Sequence, residues 1–415
     1  MLDLTRREFI SGCSAAIAAL SGSRLLHLSW NTDSTAEPIL VVVFLRGGMD
    51  GLHLLGPVDD ADYVAARPAA LRVGESGEFA GLPIGNGYAG RDFRLHKAAA
   101  PIKELYDAKR LAFVHAAGLV HGTRSHFEAM DYVERGVVGG AGRTSASGWM
   151  TRLAETVPGI GSMGLVSASD RAPDSMLGAA NAMAMANPEA FSVPVGPQVA
   201  NYLRSVYKGS SEVHRAGTRT LDAIEAIHKE LKTPEGAWKP YVPERGAAYP
   251  DGELGQSLRT VARLIRADLG LRLAAVDYGG WDTHEGQTYT FAPRVEHLSR
   301  SLAAFANDLH AYEDRLCVVV MSEFGRRVRA NQSQGTDHGH GNAMMVMGGG
   351  VAGGRILGEW PGLATEQLDQ RADLAITTDY RAVLSEVATA HLGVKDVSKV
   401  FPGFKSKPVG LMVRE

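Results

Sequence analysis

The chain has 415 residues, more than one average domain but within reach of a single large α/β domain with insertions. Apolar residues make up 45% of it, enough for a sizeable core, which excludes global disorder. The formal net charge of −3 excludes the basic footprint of a nucleic-acid binder.

The first segment reads as an address label. Thr5-Arg6-Arg7-Glu8-Phe9 matches a twin-arginine export motif, and the apolar residues 10–22 that follow have the length of a signal h-region. They are too few and too small for a membrane span. Residues 1–35 are therefore expected to be signal peptide and linker, handled by the twin-arginine export machinery, and the protein periplasmic or secreted. The alternative is an ordinary helix with a chance arginine pair. Residues 36–415 read as one domain. Two cysteines, Cys13 and Cys317, form no C-x-x-C pair, so neither a disulfide framework nor a cysteine zinc site is indicated.

Residues 38–45 (P-I-L-V-V-V-F-L) form a continuous β-branched run, the pattern of a strand buried on both faces. It ends at Arg46-Gly47-Gly48-Met49-Asp50-Gly51, where Asp50 is either a ligand at a strand's carboxyl end or an Asp-Gly turn. Residues 56–95 read as an irregular excursion with one short helix near 60–67. A helix over 98–109 and a strand over 111–116 follow. Then comes Val120-His121-Gly122-Thr123-Arg124-Ser125-His126-Phe127, leading into a helix from Glu128. Ser125 suits a helix N-cap, and a helix N-terminus also holds anions.

A strand is expected over 164–167, and residues 170–255 read as a mainly helical insertion or cap, with helices at 199–207 and 212–231. The second half alternates: helix 254–267, strand 271–276, the stretch G-G-W-D-T-H at 279–284, helix 295–312, strand 316–321, a polar loop, strand 343–347 and helix 380–392. Alternation with polar clusters at strand ends predicts an α/β fold with a doubly wound, mostly parallel sheet. No G-x-G-x-x-G follows the first strand, which argues against a dinucleotide enzyme.

Four polar clusters sit at expected strand ends: Asp50; Ser125 with His126; Asp282 with His284; and Glu323 with Asp337, His338 and His340. Carboxylates and imidazoles without thiolates suit one or two divalent ions, zinc or manganese by chemistry. Arg124 and Arg326 are candidate partners for an anion, with surface ion pairs as the alternative.

The motifs F-L-R-G-G-M-D-G (44–51), R-S-H-F-E-A-M-D-Y (124–132), G-G-W-D-T-H (279–284), M-S-E-F-G-R-R-V (321–328), T-D-H-G-H-G-N (336–342) and F-P-G-F (401–404) resemble the bacterial family called domain of unknown function 1501, often twin-arginine-exported. That family is in turn similar to the alkaline phosphatase and sulfatase superfamily. The resemblance implies a metal-dependent hydrolase of phosphate esters, less so of sulfate esters, acting on a small-molecule or glycan ester. It implies Ser125 or Thr123 as nucleophile and metal ligands among Asp50, Asp282, His284, Asp337, His338 and His340; the same strand-end clusters add His126 and Glu323 as candidate ligands, and Arg124 or Arg326 would stabilise the charge on the phosphoryl oxygens. The superfamily's Asp-His pair directly ends its strand, whereas Glu323-Phe324 stands there in this chain. No C-x-P-x-R or S-x-P-x-R occurs near 122–127, which argues against the formylglycine route. A non-catalytic binding or assembly protein of the cell envelope on the same scaffold is the competing reading.

Overall fold

The computed structural model describes residues 37–413, less 86, 140–144 and 194–196. The expected signal segment, with Cys13, lies outside the described residues. Among them, no helix is long and apolar enough to cross a membrane.

Among the described residues, nine strands form one sheet: β1 (Ile39–Leu45), β2 (Leu111–Gly118), β3 (Leu165–Ser167), β4 (Ala182–Ala184), β5 (Leu273–Tyr278), β6 (Leu316–Met321), β7 (Asn342–Gly348), β8 (Ile356–Leu357) and β9 (Thr378–Asp379). Their order is β8-β2-β7-β6-β1-β5-β3-β4, with β9 pairing β2. Every pairing is parallel except those of β7, which runs against both β2 and β6. A parallel return beside β6 would need a crossover, usually helical. The chain between β6 and β7 instead forms an antiparallel hairpin, Arg326–Ala330 with Thr336–His338, so β7 comes straight back.

β1 shows why helices cover both faces. Ile39, Val41, Val43 and Leu45 belong to one core cluster, and Leu40, Val42 and Phe44 to the other. Successive side chains point to opposite sides of a strand, so an uninterrupted apolar run needs two covers. The first face packs against α1 (Ala100–Asp107), α4 (Glu253–Arg266) and α5 (Gln287–Asp308). The second packs against α2 (His126–Arg135), α3 (Trp149–Thr156) and α6 (Tyr380–Ala390). This is the expected α/β arrangement, a mostly parallel sheet between helical layers.

Several details depart from the sequence expectation. The excursion after β1 contains a three-stranded sheet built from residues 55–57, 82–83 and 93–95. The edge strand β4 has the sequence Ala-Met-Ala, with no β-branched residue to announce it. Helix α5 starts eight residues before the expected 295, and Pro293 sits inside it.

Two fully enclosed histidines give the fold an acid-sensitive feature. His53 is 3% exposed and stacks on Phe291, with ring centroids 4.3 Å apart. His115 is 0% exposed, and its Nε2 lies 3.0 Å from the Leu55 carbonyl. Burial lowers their pKa values to about 3 and about 4. Above pH 6.5 neither state carries the proton, so the groups contribute no pH dependence there. Below it the unfolded chain protonates first, and each histidine lowers stability by about 1.4 kcal/mol per pH unit until its folded pKa is reached. Denaturant midpoints of the chelated protein are expected to fall between pH 6.5 and 4.5. A flat profile would contradict the assignment.

Candidate metal centre

The central strands β6, β1 and β5 end level with one another: Phe44 pairs with Met321 and Leu45 with Tyr278. Their carboxyl-end loops therefore meet, and the loop after β2 joins them. In open α/β sheets this is the edge where ligands bind. Gly47 marks how close the loops come. Its φ is +118°, and a Cβ there would stand 2.5 Å from the Asp282 nitrogen, so a side chain is excluded.

Four side chains from three loops converge. His284 Nε2 and His338 Nε2 lie 2.8 Å apart, and Asp282 Oδ1 is 3.1 Å from the first and 3.0 Å from the second. His126 Nε2 is 3.4 Å from Asp282 Oδ2. The donor atoms of His126, Asp282 and His338 all lie within 4.8 Å of one another, close enough to share an ion.

The outer nitrogens fix the chemistry of the inner ones. His126 Nδ1 meets Glu323 Oε1 at 2.7 Å, His284 Nδ1 meets Asp337 Oδ1 at 3.0 Å, and His338 Nδ1 meets the Arg124 carbonyl at 2.7 Å. A carbonyl only accepts, so His338 Nδ1 donates, and burial keeps the ring neutral by lowering its pKa. Glu323 stays ionised despite its burial because His126 and the N–H of Gly47 (2.8 Å) hold its carboxylate. Asp337 is likewise held ionised, first by Asn331 and then by His284. With its Nδ1 hydrogen on that outer acceptor, each imidazole when neutral directs an Nε2 lone pair inward; against partial burial Glu323 and Asp282 raise the His126 pKa, so an ion entering there would displace the inner proton of that ring. The imidazoles face a carboxylate, Asp282, whose pKa is held well below the usual range, against partial burial, by the Arg326 guanidinium.

Lone pairs facing lone pairs call for a cation, and His126 Nε2 is buried without a hydrogen-bond partner. Outer acceptors that orient each ligating imidazole are the usual support of a metal site. The nitrogen and oxygen donors fit a divalent metal ion.

The remaining candidates from the sequence occupy other places. Asp50 is 1% exposed and does not reach the cluster: its Oδ2 pairs with Arg67 Nη1 at 2.6 Å and accepts Gln287 Nε2 at 2.7 Å, while Oδ1 caps the His53 N–H. His340 turns away, its Nδ1 lying 2.5 Å from Asp369 Oδ2. Glu323 and Asp337 stand behind histidines as their acceptors. Phe324, beside Glu323, packs its ring 4.7 Å from His126 and 4.9 Å from His338, forming an apolar wall.

Neither arginine is available to an anion by its present contacts. Arg326 has a fully buried side chain that donates to the carbonyls of Gly48 (2.6 Å), Thr336 (2.8 Å), Trp281 (3.0 Å) and Gly47, and to Asp282 Oδ1 (2.7 Å). It clamps three loops together. Arg124 binds Asp373 Oδ2 through Nε (2.9 Å) and Nη2 (2.6 Å). Ser125 occupies the N-cap position of α2 but makes no side-chain cap bond, and it is exposed. Thr123 Oγ1 accepts the Ser125 N–H at 3.2 Å. Arg67, Asn331 and Gln287 escaped the sequence analysis. An arginine before a proline, a loop asparagine and a helix-start glutamine carry no local signal of a buried role.

Among solved structures, the chain resembles a sulfatase, PsFucS1, from Pseudoalteromonas sp., at 10% identity and a TM-score of 0.36, covering 99% of this chain and 78% of that one. A likeness this loose carries no argument about function. No curated protein matches. The family described as "Protein of unknown function (DUF1501)" matches residues 115–401, which hold His126, Asp282, His284 and His338. The chain is a member of the DUF1501 family.

Proposed function

We propose that the chain is an exported, metal-dependent hydrolase of phosphate esters, with His126, Asp282, His284 and His338 holding one divalent ion and Ser125 as nucleophile. The observation that carries the reading is the inward convergence of three imidazoles, each tethered from behind, with a serine that makes no cap bond one residue before His126. A zinc- or manganese-type ion bound there would polarise an oxygen of the ester. Ser125 Oγ would attack phosphorus, forming the Oγ–P bond as the P–O bond to the alcohol breaks. The serine proton leaves with the alcohol, and water then hydrolyses the phosphoserine. The uncapped N-terminus of α2 offers N–H donors to the anion, and Phe324 screens water from the inner side. Phosphate is favoured over sulfate because no formylglycine motif surrounds Ser125. The export reading rests on Arg6-Arg7 and the apolar run after it.

In metal-loaded protein, Ser125→Ala is expected to lower turnover of 4-nitrophenyl phosphate by about a thousandfold or more. Wild-type protein is expected to yield a trapped phosphoserine at 125 by mass spectrometry. Turnover that survives both Ser125→Ala and Thr123→Ala sinks the covalent step. One observation favours the competing reading of an envelope binding or assembly protein: Arg124 and Arg326 are both committed to protein partners, which withdraws the two arginines expected to meet the phosphoryl oxygens. Stoichiometric metal with no turnover of any ester would favour that reading.

A further inference from the structure

An open groove of about 510 Å³ runs between the segment after β2 and the 367–376 loop. Its walls include Val120, His121, Gln367, Asp369, Gln370 and Ile376. No lysine or arginine lines it, and the one acidic or basic side chain in its wall is Asp369, so the wall itself offers no cation to pair with an anion. A carboxylate and two amides suit neutral hydroxyls, each of which both donates and accepts. Val120 and Ile376 offer apolar contact for the C–H faces between such hydroxyls.

Two wall residues are held in place from behind. Asp369 Oδ2 pairs with His340 Nδ1 at 2.5 Å, and His340 is 2% exposed. Gln370 Oε1 accepts Arg124 Nη2 at 3.1 Å, and Arg124 is anchored on the fully buried Asp373. The turn that presents them is strained. Gln370 and Arg371 are consecutive non-glycine residues at φ of +48° and +59°. The turn is pinned by paired backbone bonds between Asp369 and Asp373 (2.9 and 3.0 Å). Such strain persists only where surrounding contacts over-determine it, and it clusters at binding sites.

The groove is also coupled to the centre. Arg124 contacts Gln370 through its side chain and His338 Nδ1 through its carbonyl, and Ser125 follows it directly. We propose that the groove binds the polyhydroxylated alcohol portion of the ester, a saccharide, with Asp369 and Gln370 as specificity-determining residues. The assignment rests on the hydrolase reading for its role as a substrate site. The anionic end of the ester then lies at the histidine cluster and the neutral end in the groove.

The test is saturation-transfer NMR on the metal-loaded full chain, using methyl glucoside, galactoside, mannoside and fucoside with glucose, galactose and mannose 6-phosphates. At least one saccharide is expected to bind, with a Kd about tenfold or more weaker in both Gln370→Gly and Asp369→Asn. Glycine adopts the φ of residue 370 without strain, so Gln370→Gly should melt no lower than wild type, which separates a lost contact from a lost fold. No binding across the panel, or equal binding by the variants, overturns the groove assignment. Variant-sensitive saccharide binding without turnover of any phosphate ester supports the groove and overturns the hydrolase reading. Turnover of 4-nitrophenyl phosphate without saccharide binding does the reverse.

Discussion

Arg67→Met is expected to destabilise the protein by about 3–5 kcal/mol, because it strands an ionised carboxylate in the interior. Asp50 is 1% exposed, and Arg67 is its paired cation at 2.6 Å. Although burial opposes ionisation, Arg67 keeps the Asp50 pKa below its usual value. The same guanidinium donates to the carbonyls of Val328 (2.8 Å), Arg327 (2.8 Å) and Leu71 (3.2 Å), so those acceptors lose their donor as well. Asp50→Asn should also destabilise, and the double variant should lose less than the sum of the two single losses, since neither charge is then left unpaired. Denaturant unfolding of the four proteins measures this. The pair also sets a pH limit. A carboxylate with a depressed folded pKa stabilises above its unfolded pKa, near 4, and that stability is lost as pH falls through the lower folded value. Metal content should be unaffected by Asp50→Asn in the fraction that remains folded. An Asp50→Asn protein that folds fully but loses its metal would make Asp50 a ligand and overturn the pairing argument.

The second large effect concerns the ion itself. Purified wild-type protein is expected to carry about one divalent ion per chain, and His338→Ala to carry almost none. Glu323→Gln should weaken binding by about 10–100-fold without touching a ligand, because it loosens the tautomer and orientation of His126. Asp337→Asn should act on His284 in the same way. Elemental analysis and competition with a chromogenic chelator read both. A ligand held a thousandfold above its Kd adds about 4 kcal/mol to stability, so chelation should lower the melting temperature of wild type and leave His338→Ala unmoved. A wild-type protein without metal, and indifferent to chelator, removes the basis for the proposed chemistry.

Particular elements show why some features could be read from the chain and others could not. β1 and β6 were legible because V-V-V runs with no polar interruption leave a strand no choice but burial on both faces. α2 lay in a segment whose apolar spacing turns helical near Glu128, though its hydroxyl N-cap makes no cap bond. The hairpin at Arg326–His338 was not legible. Its sequence, R-R-V-R-A and T-D-H, reads as polar loop, and contacts distant in the chain, the buried Arg326 clamp and Arg67 on the Val328 carbonyl among them, draw it onto the site. The direction of β7 followed from that hairpin.

The sequence by itself determined the layered α/β class, the carboxyl ends of the central strands as the place where the acids and imidazoles gather, and a shortlist that contained all four converging side chains. Those follow from local periodicity and from the cost of placing acids and imidazoles between buried strands. Tertiary structure alone decided which members of the shortlist face inward. Asp50 was claimed by an arginine from a helix end beyond it, His340 by an aspartate from a later loop, and Glu323 and Asp337 by the outer nitrogens of histidines. A carboxylate or imidazole becomes a ligand, a tether or half of an ion pair according to which partner reaches it in three dimensions. No spacing along the chain records that.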